Sequence, residues 1–211
     1  MIMLSEYIAD SVIKFVEDKL LSNDNGHDLQ HIERVINNAS KIIIGTKASK
    51  KIVYTSIYLH DLIDYKVTNN EEEELKQIIE VLNNANYSKQ EINEIIDIIS
   101  SISYSKFKKL TTINQQVVSD ADKLDALGTM GIIRTIQYGQ SVGRPFYEDD
   151  NLLKVRNHYI FGKSTKTSLS HFYDKLLKLP YIMYTKEGKK LARKRVKILK
   201  QFLNSFYEEL K

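Results

Sequence analysis

The sequence places several histidines next to carboxylates that could bind a metal ion with them. His60 is followed directly by Asp61, and the pair ends an apolar stretch that predicts a buried helix. A histidine and a carboxylate are costly to bury unless a metal ion or a hydrogen-bond partner satisfies both. The His-Asp dipeptide alone is weak evidence, because the chain contains a second one, His27-Asp28.

A second group of acidic residues lies in the segment Asp120-Ala121-Asp122-Lys123-Leu124-Asp125. Its carboxylates repel one another unless a cation or a basic group lies among them. The segment does not match a calcium-binding loop, because Leu124 and Asp125 stand where that loop requires Asp or Asn and then Gly. Helical proteins that hold magnesium for an isoprenoid diphosphate normally carry two aspartate-rich motifs, and this chain has one.

Four residues would form a site with two imidazole and two carboxylate ligands if the fold brought them together: His31, His60, Asp61 and Asp122. Such a ligand set suits Mn²⁺, Fe²⁺, Co²⁺, Ni²⁺ or Zn²⁺, with water in the open positions. The residue types leave an alternative open, in which both histidines are buried and satisfied by ordinary hydrogen bonds.

The elements that must position these residues are predicted to be helices. Only 2 prolines and 8 glycines occur in 211 residues, fewer than the turns of a sheet protein require, and no useful alternating pattern is present. We therefore predict an all-α protein with a single domain, residues 1–211. Amphipathic patterns and capping residues predict helices that begin near these positions: Ser5, Asp28, Ala48, Asn70, Ser88, Thr112, Ser164 and Thr185.

Glycine and proline mark further features of the second half of the chain. Gly128 and Gly131 either let a neighbouring helix pack closely or divide the helix that begins near Thr112. The segment 139–145 is the clearest predicted loop, and Pro180 is predicted to end the helix before it.

Composition excludes several classes of protein. The chain has no cysteines, which excludes a disulfide scaffold, a thiolate nucleophile and cysteine-ligated zinc or iron–sulfur sites. No apolar run approaches the roughly 20 residues needed to span a bilayer. The first residues lack the basic and apolar regions of a signal peptide, so we expect a cytoplasmic protein.

Charge is distributed unevenly along the chain. Residues 151–211 carry 15 Lys and Arg against 4 Asp and Glu, whereas residues 1–150 carry 16 against 23. An acidic part beside a basic part favours a protein that holds cations and attracts anions, and a solvated lysine-rich helix surface is an equal alternative.

The order of His31, His60-Asp61 and Asp122 resembles the H…HD…D signature of the HD-domain metal-dependent phosphohydrolases. Wider blocks resemble a bacterial subgroup of small, single-domain HD hydrolases over nearly the whole chain. These blocks are His27-Asp28-x-x-His31-x-x-Arg34-Val35, Leu59-His60-Asp61, Asp64-x-Lys66, Ile102-Ser103-Tyr104, Asp120-Ala121-Asp122-Lys123-Leu124-Asp125-Ala126-Leu127-Gly128, Gly143-Arg144-Pro145 and His171-Phe172-Tyr173-Asp174-Lys175-Leu176.

The resemblance implies an HD-type helical bundle with one divalent metal ion, a metal core over about 27–128 and basic helices over about 151–211. Mn²⁺ is favoured, and Mg²⁺, Fe²⁺, Co²⁺, Ni²⁺ and Zn²⁺ remain candidates. Asp122 is preferred to Asp120 because the last ligand of the family lies in the same Ala-Asp-basic-Leu context, and Asp120 stays open as the alternative. The implied ligands are His31, His60, Asp61 and Asp122.

The same resemblance implies hydrolysis of nucleotides by a metal-bound water, with a nucleoside triphosphate converted to a monophosphate and pyrophosphate. The alternatives are a 5′-nucleotide or other phosphomonoesterase, and a non-catalytic nucleotide-binding module of the same fold. The expected partner is a small nucleotide or another phosphate ester, with no nucleic acid and no membrane. The sequence does not indicate the oligomeric state.

Further residues are candidates for catalysis or substrate binding. Asp64 is expected to act as a general acid or base, and Arg34 and Lys66 are expected to balance the charge on the phosphoryl oxygens. An ordinary salt-bridge network is the alternative for these three residues. Substrate binding is predicted for three others: His27, Arg144 and Tyr104.

Overall fold

The computed structural model describes residues 4–20, 29–63, 68, 70–102, 109–148 and 166–210. Within these ranges the chain forms α-helices, 3₁₀ turns and connecting segments, and it contains no strand. The predicted all-α class is therefore confirmed. No helix in the described ranges is long and apolar enough to cross a membrane.

The described helices are numbered in chain order. They are α1 (Asp10–Leu20), α2 (Leu29–Ile42), α3 (Lys50–Leu59), α4 (Glu71–Asn84), α5 (Lys89–Ser101), α6 (Ile113–Asp125), α7 (Gly128–Ser141), α8 (Ser168–Asp174) and α9 (Lys186–Glu209). The 3₁₀ turns are Leu4–Glu6, His60–Ile63 and Leu176–Tyr181. The chain groups into two compact units, 1–121 and 122–211, and the boundary between them lies inside α6. The single domain over 1–211 stays a prediction.

Helix α3 is the centre of the first unit. Every residue from Ile52 to Leu59 is buried, as expected for a helix that is apolar on all sides. It packs against α1, α2 and α5. The hydroxyl of Ser49 caps its first turn by accepting a hydrogen bond from the backbone N–H of Ile52. The α-helix ends at Leu59, and the chain continues as the 3₁₀ turn His60–Ile63.

Side-chain hydrogen bonds fix the beginning of α6 within the first unit. Gln115 donates to the Asp97 carboxylate of α5 at 2.6 Å. Asn114 donates to the Glu94 carboxylate of α5 at 2.7 Å and accepts from the backbone N–H of Ser49 at 2.8 Å. The beginning of α6 is therefore tied both to α5 and to the first turn of α3.

The helix predicted to begin near Ser88 is confirmed, and a capping box fixes its first turn. Ser88 Oγ accepts from the backbone N–H of Glu91, and the Glu91 carboxylate accepts from the backbone N–H of Ser88 at 2.8 Å. Lys51 of α3 also donates to this carboxylate, at 2.7 Å. The hydrogen bonds from Lys51 and from the Ser88 backbone hold the pKa of Glu91 below its ordinary value.

Within the second unit, α7 packs against α8 and α9, and α9 packs against the 3₁₀ turn 176–181. Helix α9 begins after Thr185, as predicted, because the Thr185 hydroxyl accepts a hydrogen bond from the backbone N–H of Gly188. The residues buried along its apolar face include Ala192, Val196, Leu199 and Leu203.

Two glycines in the first turn of α7 follow the point where the helix predicted from near Thr112 divides into α6 and α7. Gly128, the first residue of α7, has a φ of +74°, in the left-handed region that favours glycine. A Cβ atom on Gly131 would lie 2.3 Å from the carbonyl oxygen of Ala126. The chain therefore turns closely enough between the two helices to require a residue without a side chain.

The predicted loop 139–145 begins later than expected. Helix α7 continues to Ser141, so Gly139 is helical. A Cβ atom on Gly139 would lie 2.0 Å from Ser168 Oγ, so this glycine permits the close approach of α8. The glycine that was interpreted as a loop signal is thus a packing residue.

Two other predicted boundaries are wrong. Helix α1 begins at Asp10 and not near Ser5, because a 3₁₀ turn takes up the residues before it. Helix α8 ends at Asp174, and Pro180 lies inside the following 3₁₀ turn. The proline therefore does not end an α-helix.

We expect Gly131→Ala to lower the free energy of unfolding by about 1 to 3 kcal/mol, because the new methyl group overlaps the Ala126 carbonyl. Urea denaturation followed by circular dichroism measures the change. Gln137→Ala, at an exposed position of the same helix, is the matched control and should change stability by no more than about 0.5 kcal/mol. Equal effects of the two substitutions would contradict the close approach at Gly131.

A pH dependence follows from Glu91. Because its pKa is lowered in the folded state, its contribution to stability is complete above the pKa of the unfolded state and is lost as pH falls through the folded-state pKa. We expect Glu91→Gln to be less stable than the wild type at neutral pH, and the difference to shrink between about pH 5 and pH 3. Gln90→Ala, which removes no titrating group from an exposed position of α5, should show no such convergence in urea denaturation.

Candidate metal centre

Helix α2 carries His31 on its buried face. Apolar residues of this helix recur every three or four positions, so one side of the helix enters the core. His31 lies on that side and is only 1% exposed. The neighbours that bury this face are Ile32, Val35, Ile36, Ala39 and Ile42.

His60 and Asp61 begin the 3₁₀ turn that follows α3, and both are buried. The Nδ1 atom of His60 lies 2.6 Å from the carbonyl oxygen of Ile57. A carbonyl oxygen accepts hydrogen bonds and cannot donate them, so Nδ1 carries a proton. In a neutral imidazole the lone pair of His60 is therefore on Nε2.

The Asp61 carboxylate lies beside both imidazoles. Its Oδ1 is 3.1 Å from His60 Nε2, and its Oδ2 is 3.5 Å from His31 Nε2. The two imidazole centroids are 5.6 Å apart. At 3.1 Å, the lone pairs of a neutral His60 Nε2 and of a carboxylate oxygen repel each other. A proton or a metal ion between them removes this repulsion, and the donor set fits a metal ion.

Asp122 brings a further carboxylate to the same group. It follows Ala121 in the continuous helix α6, whose first nine residues belong to the first unit. Donor atoms of His31, His60 and Asp122 all lie within 4.8 Å of one another. Nitrogen and oxygen ligands at about 2.1 Å from one ion are no more than about 4.2 Å apart, so small adjustments would let these three donors hold a metal.

The geometry bears on the choice between two aspartates of α6. The group of donors found among the described residues includes Asp122 and includes neither Asp120 nor Asp61, whose carboxylate lies beside the two imidazoles. Asp120 is fully buried, whereas Asp122 is half-buried. This arrangement supports Asp122 as the ligand, and the assignment of all four ligands stays a prediction.

The remaining predicted site residues are placed as follows. Arg34 lies on α2, three residues after His31, so the two share a side of the helix. Arg144 follows α7 in the second unit, where its guanidinium is 5.6 Å from the centre of the Tyr138 ring. Four predicted residues lie outside the described ranges: His27, Asp64, Lys66 and Tyr104.

Asn38 is a buried polar residue that was not among the predicted site residues. Its Nδ2 donates to the carbonyl oxygen of Ala121 at 3.0 Å, which links α2 to α6 next to Asp122. The sequence signal was a polar residue on the otherwise apolar side of α2, seven positions after His31.

Two arginines from other helices, Arg195 of α9 and Arg134 of α7, contact the last turn of α6. Neither was among the predicted site residues. Arg195 donates to the carbonyl oxygen of Leu124 at 2.5 Å, and Arg134 pairs with the buried Asp125 carboxylate. Burial lowers the pKa of the Arg195 guanidinium, and the nearby Asp125 opposes this shift. Positive charge at the C-terminal end of α6 complements the partial negative charge of its last carbonyl groups.

Comparison with known proteins finds similarity over this region and beyond it. The HD-domain family model matches residues 28–127, which include all four predicted ligands. The chain is 28% identical to YpgQ of Bacillus subtilis over 206 residues, 96% of this chain and 93% of YpgQ.

Solved structures are similar over nearly the whole chain. A protein from Lactobacillus plantarum superposes with a TM-score of 0.79 and 28% identity, covering 100% of this chain and 99% of that protein. YpgQ in complex with ADP gives a TM-score of 0.76 and 28% identity, covering 95% and 96%. An HD-superfamily hydrolase from Bacillus thuringiensis gives a TM-score of 0.75 and 32% identity, covering 94% of each chain.

We expect Asp122→Asn to weaken binding of a divalent ion at least about 100-fold, because the amide removes a charged ligand from the group. Isothermal titration of the metal-free protein with Mn²⁺ or Co²⁺ measures the affinity. Asp120→Asn is the matched variant on the same helix and should weaken binding less. The reverse ranking would make Asp120 the ligand.

Proposed function

Because the chain belongs to the HD superfamily of hydrolases, we propose that it is a metal-dependent phosphohydrolase that acts on nucleotides. The observation that carries this proposal is the group of donors formed by the buried His31 and His60 and the half-buried Asp122, beside the Asp61 carboxylate. YpgQ, to which this chain is similar, has been solved in complex with ADP. That complex supports a nucleotide as the substrate class that we propose for this protein.

The metal ligands in this proposal are His31, His60, Asp61 and Asp122. Two imidazoles and two carboxylates suit Mn²⁺, which the family resemblance favours, as well as other first-row divalent ions. Such an ion, when bound, polarises a phosphoryl oxygen and lowers the pKa of a water molecule towards neutrality.

Residues around the ligands prepare the site for this chemistry. The hydrogen bond from His60 Nδ1 to the Ile57 carbonyl fixes both the tautomer and the orientation of the ring. The Asp61 carboxylate lies close to both imidazoles, where its negative charge favours a bound cation. Burial of these groups keeps bulk water from screening their charges.

We propose hydrolysis of a nucleoside triphosphate to a monophosphate and pyrophosphate. A water oxygen forms a bond to the α-phosphorus, the bond from that phosphorus to the α–β bridging oxygen breaks, and pyrophosphate leaves. Asp64 accepts the proton of the attacking water, and Arg34 and Lys66 balance the charge on the phosphoryl oxygens. Substrate contacts are proposed for three further residues: His27, Arg144 and Tyr104.

A product assay tests this proposal. Metal-free protein is reloaded with Mn²⁺, Mg²⁺, Co²⁺, Ni²⁺ or Zn²⁺ and incubated with nucleoside mono-, di- and triphosphates, and the products are separated by chromatography. We expect metal-dependent release of pyrophosphate from triphosphates. Asp61→Asn should lower the rate at least about 100-fold, whereas Asp18→Asn, at an exposed position of α1, should leave it unchanged.

Other outcomes separate the alternatives. Release of inorganic phosphate from monophosphates alone would replace the proposed reaction with that of a phosphomonoesterase. Binding of nucleotides without cleavage under any metal would indicate a non-catalytic module. Equal rates for the wild type and Asp61→Asn would place the chemistry outside the proposed site.

A further inference from the structure

We propose that Asn38 is a positioning residue that fixes α2 against α6 and so sets the separation of the His31 and Asp122 donors. The inference rests on the proposed function, because it takes these two residues as ligands of one metal ion. Asn38 itself need not contact the ion or the substrate. It acts through the backbone of α6.

The contact is a buried hydrogen bond between the two helices. Asn38 Nδ2 lies 3.0 Å from the carbonyl oxygen of Ala121, and Asn38 is only 2% exposed. Ala121 is fully buried and directly precedes Asp122 in α6. Any displacement of α2 along or around its axis would therefore strain this bond or break it.

Asn38 and His31 lie on the same side of α2. Seven residues correspond to almost two complete helical turns, so the two side chains point within about 20° of each other and are separated by about 10 Å along the axis. Helix α2 is thus bonded to α6 through the Asn38 amide, and about two turns away a donor atom of His31 lies within 4.8 Å of a donor atom of Asp122. The Asn38 bond limits rotation and sliding of α2, and so limits changes in the separation of these two donors.

The composition of the buried side of α2 supports a specific role. His31 and Asn38 are its two polar residues, and the other five are Ile, Val and Ala. An amide in this position costs free energy of desolvation that its hydrogen bond must offset, whereas leucine at the same position would bury apolar surface without that cost. Metal sites require donors placed within about 0.5 Å, which a directional bond between the supporting helices provides.

The experiment compares Asn38→Leu with Asn37→Leu. Both substitutions are chemically identical and occupy neighbouring positions of α2, but Asn37 is exposed. Metal-free proteins are titrated with Co²⁺, and the affinity and the visible absorption spectrum of bound Co²⁺ are measured. We expect Asn38→Leu to bind Co²⁺ about 10- to 100-fold more weakly with an altered spectrum, and Asn37→Leu to match the wild type.

Urea denaturation of the metal-free proteins separates positioning from stability. If folded Asn38→Leu binds Co²⁺ with the affinity and spectrum of the wild type, Asn38 is only structural and the inference is overturned, while the proposed function stands. If the wild type binds no Co²⁺, Mn²⁺ or Zn²⁺, both fall together. Should Asn38→Leu fail to fold, Asn38→Ala, which removes the amide without adding bulk, is judged by the same two measurements.

Discussion

The candidate site is arranged around the negative charge of one buried carboxylate, that of Asp61. Asp61 lies beside two imidazoles in a part of the core where water is scarce, so its charge must be met by a positive partner close at hand. A proton on His60 would satisfy only one of the two contacts, whereas a divalent ion satisfies the carboxylate and both imidazoles at once. The donors of this site could therefore hold a divalent metal ion.

The surrounding helices hold this charge arrangement in place by different means. Helix α3 is enclosed on all sides and delivers His60 and Asp61 at its end. Helix α6 is tied at its beginning by the amides of Asn114 and Gln115, and near the site by the amide of Asn38. Apolar packing buries most of the surface of these helices. Directional hydrogen bonds fix their sliding and rotation against one another, which apolar packing alone specifies less strictly.

Structural features that depend on residues close together in the sequence could be predicted. Features that depend on contacts between residues far apart in the sequence could not. The capping box of Ser88 and the helical class follow from local patterns. The bond from Asn38 joins residues 83 positions apart, so no local pattern contains it. Gly139 was misinterpreted for the same reason, since its purpose becomes visible only when Ser168 is in contact with it. The ligand group was suggested by residue types and by family resemblance, and its spatial proximity comes from the fold.

The hydrogen bond between His60 Nδ1 and the Ile57 carbonyl has a consequence for the end of α3. That carbonyl is among the last four of α3, and the imidazole gives it a hydrogen-bond donor at the end of the helix. The same imidazole therefore stabilises the end of α3 whether or not an ion is bound, so the stability of the fold alone is a reason to keep this histidine.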